Sequence, residues 1–212
     1  CGSTGRLDSR ASRTGINSEY REMPKHSHYI LHKPYGYLSQ LVNNQDKRKN
    51  KRLLGKLYDF AEGTMAIGRL DENSEGLLLL TTDGQVSEQI RSKKVEKEYY
   101  VQLDGIISLD ALAELQVGVA ISIKGTAYTT LPCAAVLLTQ APDVPPPSPH
   151  IRAGRHRPTS WIAITITEGK YRQIRKMTAK VGYPTMRLIR MRIGTIILGK
   201  IDVGNVKKVA SF

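Results

Sequence analysis

The stretch GRLDENSEGLLLLTTDG, residues 68–84, contains the clearest structural pattern in this 212-residue chain. A polar loop is followed by four leucines and two threonines at residues 77–82, an apolar run of strand length. Asp83 and Gly84 then form a strong turn signal. The pattern predicts a buried strand, with Asp71 in the loop that leads into it.

Other segments alternate between strand and helix patterns, which predicts a mixed sheet. Strands are expected at residues 28–32, 98–103, 162–166 and 186–193, and short helices at residues 85–90, after Ser108, and at residues 171–181. The second helix should carry Leu109, Leu112 and Leu115 on its apolar face. The third should carry Tyr171, Ile174, Met177 and Val181, and end at Gly182.

Two segments have compositions that disfavour regular structure. Residues 1–24 are rich in Ser, Arg, Gly and Thr without apolar periodicity, which predicts a disordered or artificially added tail. Residues 141–149 contain five prolines, which predicts an extended surface crossover. We therefore expect one folded unit over residues 25–212.

The charge balance favours a polyanionic partner. The chain has 32 Lys and Arg against 19 Asp and Glu, a net charge of +13 and a pI near 9.8. Nucleic acid is the first candidate, although a surplus that merely aids solubility is the alternative. The two cysteines have no paired spacing, and no apolar run is long enough for a membrane span or signal core. We expect a soluble cytoplasmic protein.

Four separated motifs resemble one enzyme family. They are HKPYG at residues 32–36, the stretch at residues 68–84, KEYYV at residues 97–101 and EGKYRQIRKM at residues 168–177. In order and spacing they are similar to the RNA pseudouridine synthases of the ribosomal type, over about residues 29–204. PTSW at residues 158–161 and VGYPTMRLIR at residues 181–190 are most similar to a large-subunit subfamily without an S4 RNA-binding domain.

The resemblance implies an α+β catalytic domain with a mainly antiparallel, bifurcated mixed sheet, flanked by helices and loops. An RNA cleft would cross its middle, between two intimate subdomains, and residues 1–24 would be too short for an S4 domain. The implied reaction converts a specific uridine of ribosomal RNA, foremost 23S, to pseudouridine without cofactor or metal, in a monomer. The same chemistry on 16S rRNA or tRNA, and a non-catalytic rRNA-binding or assembly factor, remain alternatives.

The resemblance implies three catalytic residues. Asp71 would be the nucleophile, because a carboxylate can attack and later leave. A water-poor pocket requires a nearby cation to keep that carboxylate ionised, and the family pattern implies Arg175. Tyr99, at the Lys-x-Tyr-x-Val position, would present its ring to a flipped base. Whether Asp71 attacks the ribose or the base stays open.

Substrate-binding residues are expected around this centre. Ile174 would line the base pocket, although a core role is equally compatible, and Arg69 would open the RNA stack or hold phosphate. Backbone contacts are expected from five further positions and one cluster, each of which could instead be a solvated charge: Lys33, Lys176, Arg187, Arg190, Arg192 and residues 47–52. Arginines within an apolar strand must reach water, a carboxylate or phosphate.

Two sequence patterns resemble functional sites but lack the neighbouring residues that such sites need. Residues 5–8 repeat the Gly-Arg-Leu-Asp tetrapeptide, but no apolar strand follows them. His26, His28 and His32 share a strand face, yet no cysteine or carboxylate nearby completes a metal-ligand set. Neither pattern predicts a site.

Overall fold

A computed structural model describes residues 26–42, 51–92, 95–151 and 157–212. The predictions for residues 1–24 and 47–50 lie outside these ranges. Within them the elements are, in chain order, β1 (His28–Lys33), β2 (Tyr37–Leu38), β3 (Arg52–Leu53), a 3-10 helix (Leu54–Lys56), β4 (Met65–Ala66), β5 (Glu75–Thr81), α1 (Gly84–Arg91), β6 (Lys97–Asp104), α2 (Leu109–Val117), β7 (Ala120–Ile123), β8 (Thr126–Thr129), β9 (Ala134–Leu138), β10 (Thr159–Ile166), α3 (Gln173–Lys180), β11 (Thr185–Ile193), β12 (Ile196–Ile197) and β13 (Val206–Val209). Among the described residues, no helix has the length and apolarity needed to cross a membrane.

The main sheet consists of two halves. Its strands run in the order β13-β1-β5-β11-β6-β10-β9, with β4 beside β5 and β12 beside β11. Each pair in this sheet is antiparallel except β5 and β11, which are parallel. That parallel contact joins Glu75 to Ile189 and Gly76 to Arg190 and extends no further. The prediction of a mainly antiparallel mixed sheet is confirmed, and its halves meet at this short junction.

Strand β5 lies at the centre of the first half and is buried at every position. Successive side chains of a strand point to opposite faces, so its four leucines serve two cores. Leu78 and Leu80 pack in a cluster with Tyr29 and Leu31, whereas Leu77 and Leu79 pack in a second one around Ile193. The uninterrupted leucine run therefore reflects a strand that is covered on both faces.

The second half of the sheet is covered by α2 and α3. Alternate residues of β6 and β10, including Val101 and Ile164, pack in one cluster with Leu115 of α2 and Met177 of α3. The hairpin of β7 and β8, which the sequence analysis did not identify, also packs against α3. This core holds α3 against the sheet, where it also contacts β11.

Two predicted helix positions are wrong. Leu109 is 74% exposed, because α2 turns Ala111, Leu112 and Leu115 toward the core and leaves its first residue outside that face. Tyr171 is 61% exposed and precedes α3, which begins at Gln173.

The histidines of β1 have ordinary structural partners. Nδ1 of His28 is 3.0 Å from Oγ1 of Thr81, and Nδ1 of His32 donates to the carbonyl of Ile201 at 2.7 Å. Both side chains are buried. Their alternation in the sequence therefore reflects packing on one face of β1.

Gly76 permits the close approach of β5 and β11. Its φ is +100°, and a Cβ atom there would lie 2.3 Å from the carbonyl oxygen of Arg190. We predict that Gly76→Ala lowers the free energy of unfolding by about 3 kcal/mol or more, through backbone strain and steric overlap. Urea denaturation would measure this loss.

Gly84 provides the matched control, because nothing lies within 4 Å of the Cβ position and its φ is not positive. Gly84→Ala should change the free energy of unfolding by no more than about 1 kcal/mol. Equal losses for the two variants would contradict the packing argument.

Candidate active site

Asp71 lies in the loop between β4 and β5, with 27% of its side chain exposed. The loop is fixed on both sides of this residue. Ser39 Oγ donates to the carbonyl of Leu70 at 2.8 Å and accepts from its N–H at 3.0 Å. The N–H of Ser74 donates to the carbonyl of Asp71 at 3.0 Å. The carboxylate is thus presented from an anchored turn.

The side chain of Lys33 is hydrogen-bonded to the backbone of the same loop. Its side chain has no exposed surface, and Nζ donates to the carbonyls of Pro34 at 3.0 Å, Glu72 at 3.3 Å and Ser74 at 2.7 Å. The expected RNA contact of Lys33 does not fit this burial, because all of the ammonium group is directed inward. Lys33 instead ties the end of β1 to the loop that carries Asp71.

Two arginines face the Asp71 carboxylate. Nη1 of Arg172 donates to Oδ2 at 3.2 Å, and Nε of Arg175 is 3.8 Å from the same oxygen. Arg175 Nη2 also donates to the carbonyl of Asn73 at 2.6 Å, and Nη1 to that of Thr185 at 3.4 Å. Arg175 therefore connects the Asp71 loop to β11 while its charge remains beside the carboxylate.

Burial and a neighbouring positive charge both disfavour the charged form of Arg175. Burial lowers the pKa of its guanidinium, the charge of Arg172 lowers it further, and Asp71 opposes both effects. The Nε atom is buried and has no hydrogen-bond partner among the described residues. A guanidinium stays protonated under such conditions. The carboxylate is consequently placed between two permanent positive charges.

The family pattern implied Arg175 but not Arg172. Arg172 precedes α3 with φ +51° and ψ +35°, a left-handed conformation that is unusual for a residue with a side chain. This conformation ends the turn before α3 and directs the guanidinium at Asp71. The sequence offered only a weak signal, a second arginine three positions before Arg175, because Arg172 lies ahead of the helix and does not follow helical spacing.

A cavity of about 100 Å³ opens beside the carboxylate. Asp71, Tyr99, Ile174 and Arg69 all line it, together with the apolar side chain of Leu188. Tyr99 is buried at 8% exposure. The structure thus places four of the sequence-predicted residues around one small space.

Tyr100 lies on the other face of β6. It lines a separate groove with Met191 and residues 137–143. Neighbouring residues of a strand point to opposite sides. The placement therefore agrees with the choice of Tyr99 over Tyr100 for the cavity.

A larger cleft of about 800 Å³ adjoins this cavity. Arg69, Tyr99, Gly169 and Lys170 line both spaces. Arg69 is exposed at their shared wall. The small cavity and the larger cleft are therefore adjacent spaces that share one wall.

Most of the other basic residues expected at RNA have protein partners. Arg187, at 2% exposure, forms a bidentate buried ion pair with Glu75 at 2.7 and 3.0 Å. Its expected RNA contact does not fit, because a buried arginine needs a carboxylate and Glu75 supplies it. Arg190 is also buried and donates from Nε to the carbonyl of Leu77 at 2.8 Å.

Three further cations lie nearer the surface and are engaged as well. Lys176 donates to the carbonyl of Ser122 at 2.6 Å, Arg192 pairs with Glu98 at 2.9 Å, and Lys51 pairs with Glu72 at 2.8 Å. All three are partly exposed. The ion pairs offset the charges of Arg192 and Lys51, whereas Lys176 has no ion-pair partner among the described residues.

Comparison with known families matches residues 27–180 to the family described as RNA pseudouridylate synthase. The chain belongs to this family. The resemblance inferred from the four motifs is thereby confirmed, and the matched region contains Asp71, Tyr99, Arg172 and Arg175.

Two named relatives and one solved structure are similar to this chain over most of its length. Ribosomal large subunit pseudouridine synthase E of Vibrio parahaemolyticus serotype O3:K6 is 39% identical over 184 residues, covering 85% of this chain and 72% of that protein. The protein of the same name from Xanthomonas axonopodis pv. citri is 39% identical over 167 residues, covering 78% and 84%. A solved pseudouridylate synthase structure has a TM-score of 0.70 at 24% identity, covering 89% of this chain and 72% of the other. This likeness confirms the α+β fold.

The conformation of Arg172 generates a stability prediction. Arg172→Gly and Arg172→Ala both remove the guanidinium, but only glycine adopts a positive φ without steric cost. We predict that Arg172→Gly is more stable than Arg172→Ala by about 1 kcal/mol in urea denaturation. A glycine variant no more stable than the alanine variant would show that the left-handed conformation is not retained in solution.

The buried ammonium of Lys33 generates a pH prediction. Burial lowers its pKa from 10.5 to about 7, and Glu75, Asp71 and Glu72 oppose this shift. Between these values the unfolded chain holds a proton that the folded chain has released, so Lys33 makes stability rise with pH. Lys33→Met removes this titration.

We expect the free energy of unfolding of the wild type, relative to Lys33→Met, to increase by up to about 1.4 kcal/mol per pH unit from pH 7 to about 10. Urea denaturation at several pH values would measure it. A difference that stays constant with pH would contradict the lowered pKa.

Proposed function

We propose that the protein converts a specific uridine of the large-subunit ribosomal RNA, 23S rRNA, into pseudouridine, with Asp71 as the nucleophile. The observation that carries this proposal is the Asp71 carboxylate, held 3.2 Å from Arg172 and 3.8 Å from Arg175 at a cavity that Tyr99 lines. The family and the names of the relatives support the reaction and the class of RNA.

The carboxylate has the properties that a covalent catalyst needs. It is partly exposed and thus accessible, and the anchored loop limits its movement. The two arginines lie beside Oδ2 and leave the other oxygen, Oδ1, without a hydrogen bond from a described residue. A carboxylate in this state can attack the nucleotide and can leave again.

The reaction exchanges one bond of uracil for another. Asp71 forms a bond to the nucleotide, the N1 bond between uracil and the ribose breaks, and the uracil turns within the cavity. A bond from C5 to the ribose then forms, the bond to Asp71 breaks, C5 loses its proton and N1 gains one, so that the carboxylate is regenerated and substrate and product are isomers. Tyr99 lies at the wall where its ring can face the base and its phenol can approach C5.

The apolar wall of the cavity suits a base removed from its stack. Ile174 and Leu188 are buried, at 4% and 6% exposure, and line the same cavity as Asp71. Extruding a base costs a few kcal/mol of lost stacking and pairing. The net charge of +13 and the exposed Arg69 offset this cost through attraction to the RNA backbone.

Pseudouridine mapping tests this proposal. The protein is incubated with unmodified 23S and 16S rRNA transcripts, and carbodiimide-dependent stops are read by primer extension. We predict one new stop, in 23S rRNA, and its loss in Asp71→Asn with a decrease in rate of roughly a thousandfold or more. The variant should still bind the RNA, because the exchanged group is nearly the same size.

Asp8→Asn is the matched control, since Asp8 ends a second Gly-Arg-Leu-Asp tetrapeptide. This variant should keep full activity. Activity in Asp71→Asn would overturn the assignment of the nucleophile. A stop in 16S rRNA alone would overturn the assignment of the RNA, and no stop in either RNA would favour a binding or assembly role.

A further inference from the structure

Arg190 of β11 is a buried cation that has no ion-pair partner among the described residues. It is 3% exposed, and its Nε donates to the carbonyl of Leu77 at 2.8 Å. Its Nη2 is buried with no hydrogen-bond partner, and no carboxylate lies within ion-pair distance in the part of the chain that the structure describes. A buried guanidinium in this state is costly, because no carboxylate of a described residue compensates its lost hydration.

A second cation lies close to Arg190 on the neighbouring strand. Lys97 begins β6, which pairs with β11, and its Nζ donates to the carbonyl of Val95 at 2.9 Å. Burial lowers the pKa of Lys97, and the charge of Arg190 lowers it further. The fold therefore holds two mutually repelling positive charges together.

The nearby carboxylates have other partners. Glu75 pairs with Arg187, Glu98 with Arg192, and Glu88 with Arg91. Glu168 accepts hydrogen bonds from the hydroxyl of Tyr128 and the amide of Gln173. None of these acids forms an ion pair with Lys97 or Arg190 among the described residues.

Both cations line the larger cleft beside the Asp71 cavity. Three more basic side chains line its walls: Arg69, Arg91 and Lys170. Arg69 and Lys170 also line the smaller cavity. An anion bound in the larger cleft would thus lie next to a ligand bound in the smaller cavity at Asp71.

We propose that Lys97 and Arg190 form a phosphate subsite at the base of the larger cleft, and that it takes a phosphodiester of the strand carrying the target uridine. A phosphate there would place a negative charge beside the buried Arg190 and the partly buried Lys97. The choice of an RNA phosphate over a free one rests on the proposed function.

Inorganic phosphate tests the subsite directly. Thermal unfolding of the full chain is followed in tens of millimolar sodium phosphate and in sodium chloride of equal ionic strength. Phosphate should raise the Tm of the wild type by roughly 1 to 3 °C. Lys97→Gln should remove this gain and Lys97→Arg, which keeps the charge, should retain it.

RNA binding tests the source of the phosphate. Binding of a 23S rRNA transcript is measured at several salt concentrations in an Asp71→Asn background, which separates binding from turnover. Lys97→Gln should reduce the slope of log K against log salt by about 0.7 to 0.9, the value for one phosphate contact, and Lys97→Arg should restore it. Lys207→Gln, which removes an exposed charge on the outermost strand β13, is the control and should leave the slope unchanged.

Each outcome has a distinct meaning. No gain from phosphate in the wild type would overturn the subsite. A gain from phosphate with an unchanged RNA slope would overturn the assignment to RNA, as would equal slope changes for Lys97→Gln and Lys207→Gln. A reduced slope without any pseudouridine formation by the wild type would overturn the proposed reaction and leave the subsite supported.

Discussion

The buried ion pair of Glu75 and Arg187 joins the two halves of the sheet where their backbones meet over only two residue pairs. Removing one partner of such a pair typically costs about 3–5 kcal/mol, because the other charge is left buried. The Asp71 loop ends at Glu75, and α3, which follows Arg172 and contains Arg175, is connected by a short turn to β11, the strand of Arg187. The distance between the carboxylate and its arginines therefore depends on this junction more than on the strength of their own ion pairs.

Backbone carbonyls hold the polar groups of the site in place. Lys33 binds two carbonyls of the Asp71 loop, and Arg175 binds a third as well as one at the start of β11. Such contacts fix geometry without neutralising charge, so the guanidinium of Arg175 remains available to the carboxylate. Arg172 differs, since it reaches Asp71 from a left-handed backbone conformation that costs about 1–2 kcal/mol. Strain at this position is consistent with a residue whose place is set by chemistry rather than by stability.

The sequence was most informative where hydrophobic periodicity was strong. The leucine run of β5, the alternation of β10 and the Ser108 cap of α2 all lie where expected, because local pattern and burial agree there. The β7–β8 hairpin and β13 were missed, since their residues are largely exposed and have little apolar period. Charge was the least reliable guide: a sequence shows that Lys33 and Arg187 are basic but not that the fold buries them. Their partners are 41 and 112 residues away in the chain and become neighbours only in the folded sheet.

The distribution of charge also separates what holds the site from what attracts the RNA. Arg175 and Arg187 lie inside the protein, where dissolved ions screen charges weakly. Exposed side chains such as Arg69 and Lys170 lie in water, where a Debye length of about 8 Å at physiological salt limits their reach. Rising salt should consequently weaken the encounter with RNA long before it disturbs the placement of Asp71. The buried positive charges thus fix the geometry of the site, and the exposed positive charges contribute to the affinity for its substrate.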